Sequence, residues 1–307
     1  MLPSSIHNFI TNKMLTESNF KPEDQESIIT ERVKTMNNYC NTMDQKTRDK
    51  YKEKNKPPYA HVLVDDKRKF MFCTIAKVAC SNWKRLMLGL YGAEDPFDRR
   101  SVRVKGNTDL KEMSLSTYSP KEIAYRLKYY TKAILVRDPL ERVLSAYRNK
   151  FNTSNGPTSI FTNVYRPMII RKYRPDLRMK IIARDEVRVS LQEFIRYITH
   201  PLDFPQLESS DHMNVHWQPY ITSCDPCHVR YDIIAKYETL EEDVRFILNK
   251  INASNLIKWP ARSEHYKQPP TAQLVSESFK SVSSEDLNAL SSIYYHDYKI
   301  FGYKIRK

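Results

Sequence analysis

A basic turn between an apolar run and an amphipathic segment is the part of this sequence best suited to binding a phosphate group. The apolar run from Phe70 to Ile75 has the length of a strand, and Lys77 follows it. The apolar positions beyond the turn recur with helical spacing; they are Trp83, Leu86, Met87 and Leu90. Ser81 stands where the N-cap of this helix is expected. A helix N-terminus attracts anions through its unpaired N–H groups and its dipole, and Lys77 adds a full charge.

The same turn excludes two common nucleotide-binding sequences. A Walker P-loop needs two glycines and a Lys-Ser or Lys-Thr pair, and a Rossmann fingerprint needs a glycine-rich turn. The whole chain has 5 glycines, and neither pattern occurs in it. Taken alone, the segment is equally consistent with a basic helix start that binds nothing, so a second turn is needed to decide.

A second strand-to-helix turn follows the apolar run Ala133–Val136. Asp138 is expected at the N-cap of its helix and Pro139 at the first helical position. The apolar stripe of this helix consists of Leu140, Val143, Leu144, Tyr147 and Phe151. Polar residues spaced three apart on another face are Arg142, Ser145 and Arg148. We expect Arg137 and Ser145 to converge on one phosphate, and two such turns imply a ligand phosphorylated at two places.

Both turns and a third stretch resemble those of a known enzyme family. The stretches Ala76–Arg85 (AKVACSNWKR) and Arg137–Phe151 (RDPLERVLSAYRNKF) look like the two PAPS-binding motifs of Golgi carbohydrate sulfotransferases. The subgroup that they resemble contains the chondroitin 4-O-, dermatan 4-O- and HNK-1 sulfotransferases. The stretch His216–Asp243 is similar to the C-terminal half of that subgroup, and Asp297–Tyr303 to its end. The likeness runs from Tyr59 to Tyr303, and ordered motifs make chance agreement improbable.

The resemblance implies an α/β fold of the P-loop-like PAPS-dependent sulfotransferase type, with a mainly parallel central sheet flanked by helices. It implies that Lys77 and the turn Val78–Asn82 hold the 5′-phosphosulfate of PAPS, and that Arg137 and Ser145 hold its 3′-phosphate. The candidate donor-binding residues are Ala76, Lys77, Val78, Ala79, Cys80, Ser81, Asn82, Arg137, Arg142 and Ser145. Ala76 departs from the family, which usually has proline here, and the loss of that fixed φ is expected to loosen the turn.

The reaction that the resemblance implies needs a held donor, positive charge at the leaving phosphate and a base for the acceptor hydroxyl. Lys77 is the candidate for the charge, and the scheme requires no metal. His216 is the candidate base, because an imidazole accepts a proton at neutral pH. His212 and Glu208 are alternatives, and a purely structural histidine beside Trp217 is the other interpretation.

The five cysteines are Cys40, Cys73, Cys80, Cys224 and Cys227. An odd number leaves at least one thiol unpaired within the monomer, and the pairing stays open. The spacings His212-x3-His216 and Cys224-x2-Cys227 resemble those of zinc ligands, but the usual order places the cysteines first, which disfavours zinc. A disulfide involving Cys224 or Cys227 is expected if the chain enters the secretory pathway. Glycosylation sequons, which favour that compartment, begin at Asn152 and Asn252.

The chain is strongly basic, with 50 lysines and arginines against 36 aspartates and glutamates and a net charge of +14. This charge predicts affinity for polyanions such as a sulfated glycan, nucleic acid or an acidic membrane. No nucleic-acid-binding fold signal accompanies it, so we expect an anionic glycosaminoglycan or another glycan as acceptor and no nucleic acid. The basic and aromatic segment 152–189 is expected to flank the acceptor groove, a basic surface without a partner being the alternative.

The chain divides by pattern into two parts. Residues 1–58 are expected to form a stem-like or capping segment, and residues 59–307 a sulfotransferase domain in which strands and helices alternate. Capping boxes are expected at Ser190–Glu193 and Thr239–Glu242, and a last helix at Ser284–Tyr298. No stretch has the roughly 20 apolar residues of a membrane span, and no signal peptide opens the chain. The resemblance nevertheless implies the Golgi lumen, where members are normally membrane-anchored, and this sequence departs from them there.

We therefore predict transfer of a sulfuryl group from PAPS to a glycan hydroxyl, first of all the 4-hydroxyl of N-acetylgalactosamine in chondroitin or dermatan. Alternatives are sulfation of a terminal glucuronic acid or of GalNAc on N-glycans, and a non-catalytic polyanion-binding relative, for which Ala76 and the missing anchor are the only hints. A nucleotide kinase is disfavoured, because the glycines and the Mg²⁺-binding serine or threonine after a P-loop lysine are absent.

Overall fold

A mainly parallel sheet forms the centre of the fold. The computed structural model describes residues 22–50, 59–97, 110–152, 159–177, 187–200, 203, 213–260 and 271–305. The strands of the sheet are β1 (Val62–Asp65), β2 (Phe70–Cys73), β3 (Thr131–Val136) and β4 (Ile233–Lys236), in the order β1-β2-β3-β4. β1 pairs antiparallel with β2, whereas β2, β3 and β4 are parallel. The predicted α/β fold with a mainly parallel sheet is confirmed, and the carboxyl ends of its parallel strands lie at one edge.

Helices cover both faces of the sheet, since the residues of β1 and β2 and all but the first of β3 are buried. Before β3 come α1 (Pro22–Thr42), α2 (Gln45–Lys50), α3 (Cys80–Tyr91) and α4 (Pro120–Tyr129). Between β3 and β4 come α5 (Pro139–Lys150), a π-helical turn (Phe161–Tyr165), α6 (Arg166–Tyr173), α7 (Leu191–Thr199), α8 (Tyr220–Cys224) and α9 (Pro226–Val229). After β4 come α10 (Leu240–Lys250), α11 (Thr271–Phe279), α12 (Ser284–Ile293) and α13 (Tyr295–Ile300).

The parallel strands lead directly into helices, so helix N-termini gather at one edge of the sheet. α5 begins as predicted, with Pro139 in its first turn and the Asp138 carboxylate accepting from the Glu141 N–H at 3.1 Å. α3 corrects the prediction that Ser81 is its N-cap. The N-cap is Ala79, which has a left-handed backbone (φ 56°) and no side-chain cap. Ser81 lies inside the first turn, because the left-handed Ala79 already redirects the chain into the helix.

The helix α1, in the segment predicted to be stem-like or capping, packs into the same core as the sheet. Ile29 and Met36 are buried in that core. Arg32 Nη1 lies 2.7 Å from Asp243 Oδ2 of α10, a carboxylate that is fully buried. A disulfide joins Cys40 to Cys227 of α9. The predicted boundary after residue 58 lies in 51–58, outside the described residues, and stays a prediction.

Two other local predictions are corrected. The expected last helix is two helices, broken at the buried Tyr294, whose hydroxyl donates to the Trp217 carbonyl. Thr239 does not cap α10 with its side chain, because its hydroxyl donates to the buried Asp243 at 2.7 Å instead. The capping box at Ser190 and Glu193 is confirmed.

Candidate active site

The turn after β2 is built from left-handed residues that are not glycine. Lys77 has φ 73° and Ala79 has φ 56°, a backbone conformation that costs an ordinary L-residue about 1–2 kcal/mol. Such residues turn neighbouring N–H groups to the same side, which makes a concave site for an anion. Val78 between them is buried, and the Ala79 carbonyl accepts from the Asn82 and Trp83 N–H groups at 3.0 and 3.1 Å. The turn therefore joins an anion-binding geometry to the N-terminus of α3.

The second turn meets the first through Arg137. This residue is 4% exposed, and its Nη1 donates to the Lys77 carbonyl at 3.4 Å. Its Nε donates to Glu141 Oε2 at 3.2 Å, and its guanidinium lies 4.2 Å from the centre of the Tyr237 ring. Asp138 holds the start of α5 beside it. The two turns predicted to bind phosphates are thus neighbours at the carboxyl edge of the sheet.

Lys77 is the charged centre of this arrangement. Its Nζ donates to Asn149 Oδ1 near the end of α5 at 3.0 Å, a contact between the first turn and the helix that follows the second turn. Burial, and after it the positive charges of Lys150, Arg137 and Arg148, lower the pKa of Lys77 to about 8, against the opposite effect of Cys80. Several cations held close together in partly buried positions are a strong attractant for a multiply charged anion.

Lys150 completes the cation cluster, which we define as Lys77, Arg137, Arg148 and Lys150. Its ammonium lies 4.6 Å from the centre of the Phe161 ring, and burial lowers its pKa. Arg148 Nη1 donates to Thr271 Oγ1 at 3.2 Å. Sequence reasoning did not assign Lys150 or Asn149 a role. The signal for Asn149 was its position four residues after Ser145, which places both on one face of α5.

His216 lies on the turn before α8, with its ring half-buried against Phe161 at a centroid distance of 5.4 Å. Its Nδ1 is 2.6 Å from Asn214 Oδ1. Burial, and after it the positive charges of Lys150, Lys77, Arg142 and Lys84, lower the pKa of His216 to about 3. The imidazole is consequently neutral at neutral pH. The alternatives His212 and Glu208 lie outside the described residues.

Arg142 does not share the outer face of α5 with Ser145. Its side chain is fully buried, its Nη2 donates to the Gln218 carbonyl, and its guanidinium lies 4.7 Å from the centre of the Tyr220 ring. Three residues of an α-helix fall about 60° short of a full turn, so a spacing of three drifts around the helix. The prediction that Arg142, Ser145 and Arg148 share one face did not allow for this drift. Arg142 instead points into the protein interior, where it contacts the segment that follows His216.

The remaining candidates lie in the first turn, in the first residues of α3 or on α5. Ala76, Cys80, Asn82 and Ser145 are half-buried, and Ser81 is exposed.

Cys80 is a free cysteine, whereas the other four cysteines form the disulfides Cys40–Cys227 and Cys73–Cys224. The expected disulfide involving Cys224 or Cys227 is confirmed, and since both cysteines are paired, neither sulfur is left as a thiolate for a metal. Cys73–Cys224 ties the end of β2, just before the first turn, to α8, just after His216.

Comparison with known proteins decides the family. A family model described as "Sulfotransferase family" matches residues 60–304. The chain belongs to the sulfotransferase family. It is similar to carbohydrate sulfotransferase 11 of Rattus norvegicus at 36% identity over 248 residues and to carbohydrate sulfotransferase 14 of Danio rerio at 37% over 247 residues. It is also similar to carbohydrate sulfotransferase 10 of Rattus norvegicus, at 31% identity over 303 residues.

The alignments leave part of each relative unmatched. They cover 80%, 80% and 96% of this sulfotransferase, and 67%, 62% and 80% of the respective relatives. The chain thus spans about two thirds of the length of the first two relatives. No solved structure matches it. Within the described residues, no helix combines the length and the hydrophobicity needed to cross a bilayer.

The family match confirms the resemblance noted from the two turns: this protein is a sulfotransferase enzyme. Its relatives are named carbohydrate sulfotransferases. Membership of this family implies that the sulfuryl donor is PAPS. The described residues fit a donor with two phosphate positions, because the left-handed turn around Lys77 and the Arg137 turn lie side by side within one cation cluster. Their side chains supply positive charge and N–H donors, which are what phosphate oxygens accept.

Proposed function

We propose that this sulfotransferase transfers a sulfuryl group from PAPS to a hydroxyl of a glycan, the 4-hydroxyl of N-acetylgalactosamine in chondroitin or dermatan. The observation that carries the proposal is the contact between the two turns, in which Arg137 Nη1 donates to the Lys77 carbonyl. Lys77 Nζ also donates to Asn149 on the helix that follows the second turn. Both turns can therefore act on one donor. Golgi carbohydrate sulfotransferases have the motifs that these turns resemble.

Each candidate residue has a role in donor binding that follows from its position. Lys77 and the turn Val78–Asn82 hold the 5′-phosphosulfate, and Arg137 with Ser145 holds the 3′-phosphate. Ala76 and Cys80 line the turn, while Arg142 supports the site from behind through Gln218. Lys77 also offsets the charge that develops on the leaving phosphate, since it is a cation in a partly buried position.

His216 acts as the base in this scheme. The acceptor oxygen forms a bond to sulfur while the bond from sulfur to the phosphate oxygen breaks. The hydroxyl proton passes to the neutral imidazole, and the electron pair of the broken bond leaves on the phosphate beside Lys77. Adenosine 3′,5′-bisphosphate and a sulfate ester are the products, so the step balances without a metal or a redox partner.

The acceptor assignment rests on charge and resemblance. A net charge of +14 favours a polyanionic polymer over a neutral glycan. Exposed basic residues at the end of α6, Arg171 and Lys172, belong to the segment 152–189 that we expect to flank the acceptor groove. We place the enzyme in the Golgi lumen. Its sequons and its two disulfides favour the secretory pathway, in which disulfides form and persist.

The test is a transfer assay with sulfur-labelled PAPS. The acceptors are desulfated chondroitin, dermatan and heparan, a glycan ending in glucuronic acid and an N-glycan ending in GalNAc. We expect label on chondroitin or dermatan, released by depolymerising lyase as a 4-sulfated disaccharide. Lys77→Ala should abolish transfer, whereas Lys121→Ala, an exposed lysine on α4, should not. Label on another acceptor alone would correct the substrate, and donor binding without transfer to any acceptor would favour a non-catalytic relative.

A further inference from the structure

The side chain of Asn214 makes three contacts around His216. Its Oδ1 is 3.2 Å from the backbone N–H of His216 and 2.6 Å from Nδ1 of the ring. Its Nδ2 is 3.4 Å from the hydroxyl of Tyr165. The backbone carbonyl of Asn214 separately accepts from the Trp217 and Gln218 N–H groups at 2.9 and 2.8 Å. The turn is therefore closed by the backbone, and the amide side chain is left to act on the ring.

These contacts fix which way the amide points. The backbone N–H of His216 can only donate, so the atom of Asn214 that faces it must be the acceptor, Oδ1. The reversed amide would place an NH₂ group against that N–H, with two donors facing each other. The same Oδ1 then faces ring Nδ1, and it can only accept there as well. A neutral imidazole has one N–H, and this geometry assigns it to Nδ1.

We propose that Asn214 is a positioning residue that keeps the proton of the neutral His216 ring on Nδ1 and so leaves Nε2 as the atom that accepts the acceptor's proton. The inference rests on the proposed function, in which His216 is the base. Without a partner at Nδ1 the two neutral tautomers of an imidazole interconvert freely, and the tautomer with its proton on Nε2 cannot act as a base at that atom.

The surroundings keep the ring neutral, which makes its tautomer the quantity that matters. The charged groups acting on it are Lys77 from the first turn, Lys84 from α3, and Arg142 and Lys150 from α5. All are cations, and they oppose a proton on the second ring nitrogen. Phe161 packs edge-on against the ring. A neutral acceptor such as the Asn214 amide orients the ring without adding the negative charge that an aspartate would bring.

The first test reads the tautomer directly by NMR of the full chain labelled with ¹⁵N-histidine. The His216 signals are assigned by their loss in His216→Gln. We expect the wild-type ring to carry its proton on Nδ1, and Asn214→Leu to populate both tautomers. Asn288→Leu, an exposed asparagine on α12, is the matched control and should change nothing. A wild-type ring protonated on Nε2, or an unchanged tautomer in Asn214→Leu, would overturn the proposal.

The second test is kinetic. Asn214→Leu should lower kcat several-fold with unchanged donor affinity, because only part of the rings then has a basic Nε2. Asn214→Asp should keep the tautomer and raise the pKa of His216, since a carboxylate stabilises the charged ring. In its pH–rate profile, the fall in kcat on the acid side should therefore occur at a higher pH than in the wild type. An unmoved fall on the acid side, or full kcat in Asn214→Leu, would contradict the positioning role.

Failure of the proposed function looks different from failure of this inference. If His216→Gln retains full turnover, His216 is not the base, whatever the NMR spectra show. If the wild type transfers sulfate and requires His216, but Asn214→Leu matches it in kcat, only the role of Asn214 is wrong. Asn214→Asp keeps the same shape, so the comparison survives even where Asn214→Leu folds poorly.

Discussion

At the scale of single residues, the site is a cluster of cations whose carboxylate neighbours gather around Arg137 and not around Lys77. Glu141 accepts from Arg137, with Asp138 and Glu238 close to it, whereas the main influences on the pKa of Lys77 include no carboxylate. Burying like charges together is unfavourable, and it persists only where something supplies the opposite charge. A donor with two phosphate positions meets this need. The charge distribution and the left-handed turn therefore point to the same kind of ligand.

The pH dependence of donor binding tests this electrostatic argument. In the free enzyme the pKa of Lys77 is lowered to about 8, and a bound anion should raise it again. The free enzyme loses the Lys77 proton above pH 8, so affinity for adenosine 3′,5′-bisphosphate should fall there, by up to about tenfold per pH unit. Titration calorimetry between pH 7 and pH 9.5 measures this in a Cys80→Ser background, which removes the thiol beside the turn.

The same titration has a sharp control. In Lys77→Ala the decline above pH 8 should disappear, together with the proton uptake that accompanies binding in buffers of different ionisation enthalpy. A wild-type affinity that stays constant across this range would show that Lys77 does not contact the donor.

His216 gives a second prediction at this scale. Removing a general base costs about 10²–10⁴-fold in rate, so His216→Ala should lose that much kcat. Its affinity for adenosine 3′,5′-bisphosphate should stay the same, because in the proposed mechanism the ring acts on the acceptor hydroxyl and not on the donor. Turnover close to wild type in a variant that still binds the donor product would exclude His216 as the base. Such a result would point to His212 or Glu208.

At the scale of elements, the first turn is strained where a glycine would be relaxed. Ala79 has φ 56° at the N-cap of α3, and an L-residue there costs about 1–2 kcal/mol. Ala79→Gly should raise the free energy of unfolding by about 1 kcal/mol, measured by urea denaturation. Ala146→Gly in the middle of α5, where the backbone is helical, should lower it. Destabilisation by Ala79→Gly would mean that the turn carries no such strain.

The docking of α1 gives another prediction. Arg32 is the cation beside the fully buried Asp243, which also accepts from the Lys236 N–H and the Thr239 hydroxyl. Arg32→Ala leaves a buried carboxylate without its charge partner and should cost about 3 kcal/mol of unfolding free energy. Lys34→Ala on the same helix breaks only an exposed pair and should cost less than about 1 kcal/mol. Equal effects of the two variants would contradict the buried ion pair.

These elements also show what a sequence can and cannot predict. The strand-to-helix units around Lys77 and Arg137 were predictable, because their apolar runs, their spacing and the Asp138–Pro139 cap are local signals. The cap at Ala79 was not, since a left-handed alanine has no signature in residue type and is imposed by the turn. Lys150 and Asn214 enter the site through packing between distant segments, and no local pattern reports such contacts.

Arg142 is the clearest example of a side-chain position that the sequence could not predict. Its type and its spacing from Ser145 suggested a phosphate ligand, yet the side chain is fully buried beneath Gln218 and Tyr220. The direction in which a helical side chain points depends on how the whole helix is rotated against its neighbours. That rotation is set by the apolar stripe of α5, whose buried members include Leu140, Val143 and Leu144.

At the scale of the whole molecule, the excess of positive charge should govern encounter with the acceptor. A net charge of +14 creates a long-range field that attracts a polyanionic chain, and salt screens this field. We expect kcat/KM for polymeric desulfated chondroitin, which keeps its uronic carboxylates, to fall about tenfold between 50 and 300 mM salt. A chondroitin tetrasaccharide, with the same hydroxyl but few charges, should show a much smaller decline.

The donor provides the internal reference for this measurement. The cation cluster around Lys77 is partly buried, and salt screens buried charges less than exposed ones. The KM for PAPS should therefore change little over a range in which the KM for the polymer rises. Equal salt dependence for polymer and tetrasaccharide would show that the surface charge plays no part in capturing the acceptor. A steep dependence for PAPS would show that the donor site is more open to solvent than the buried Arg137 and the half-buried Lys77 imply.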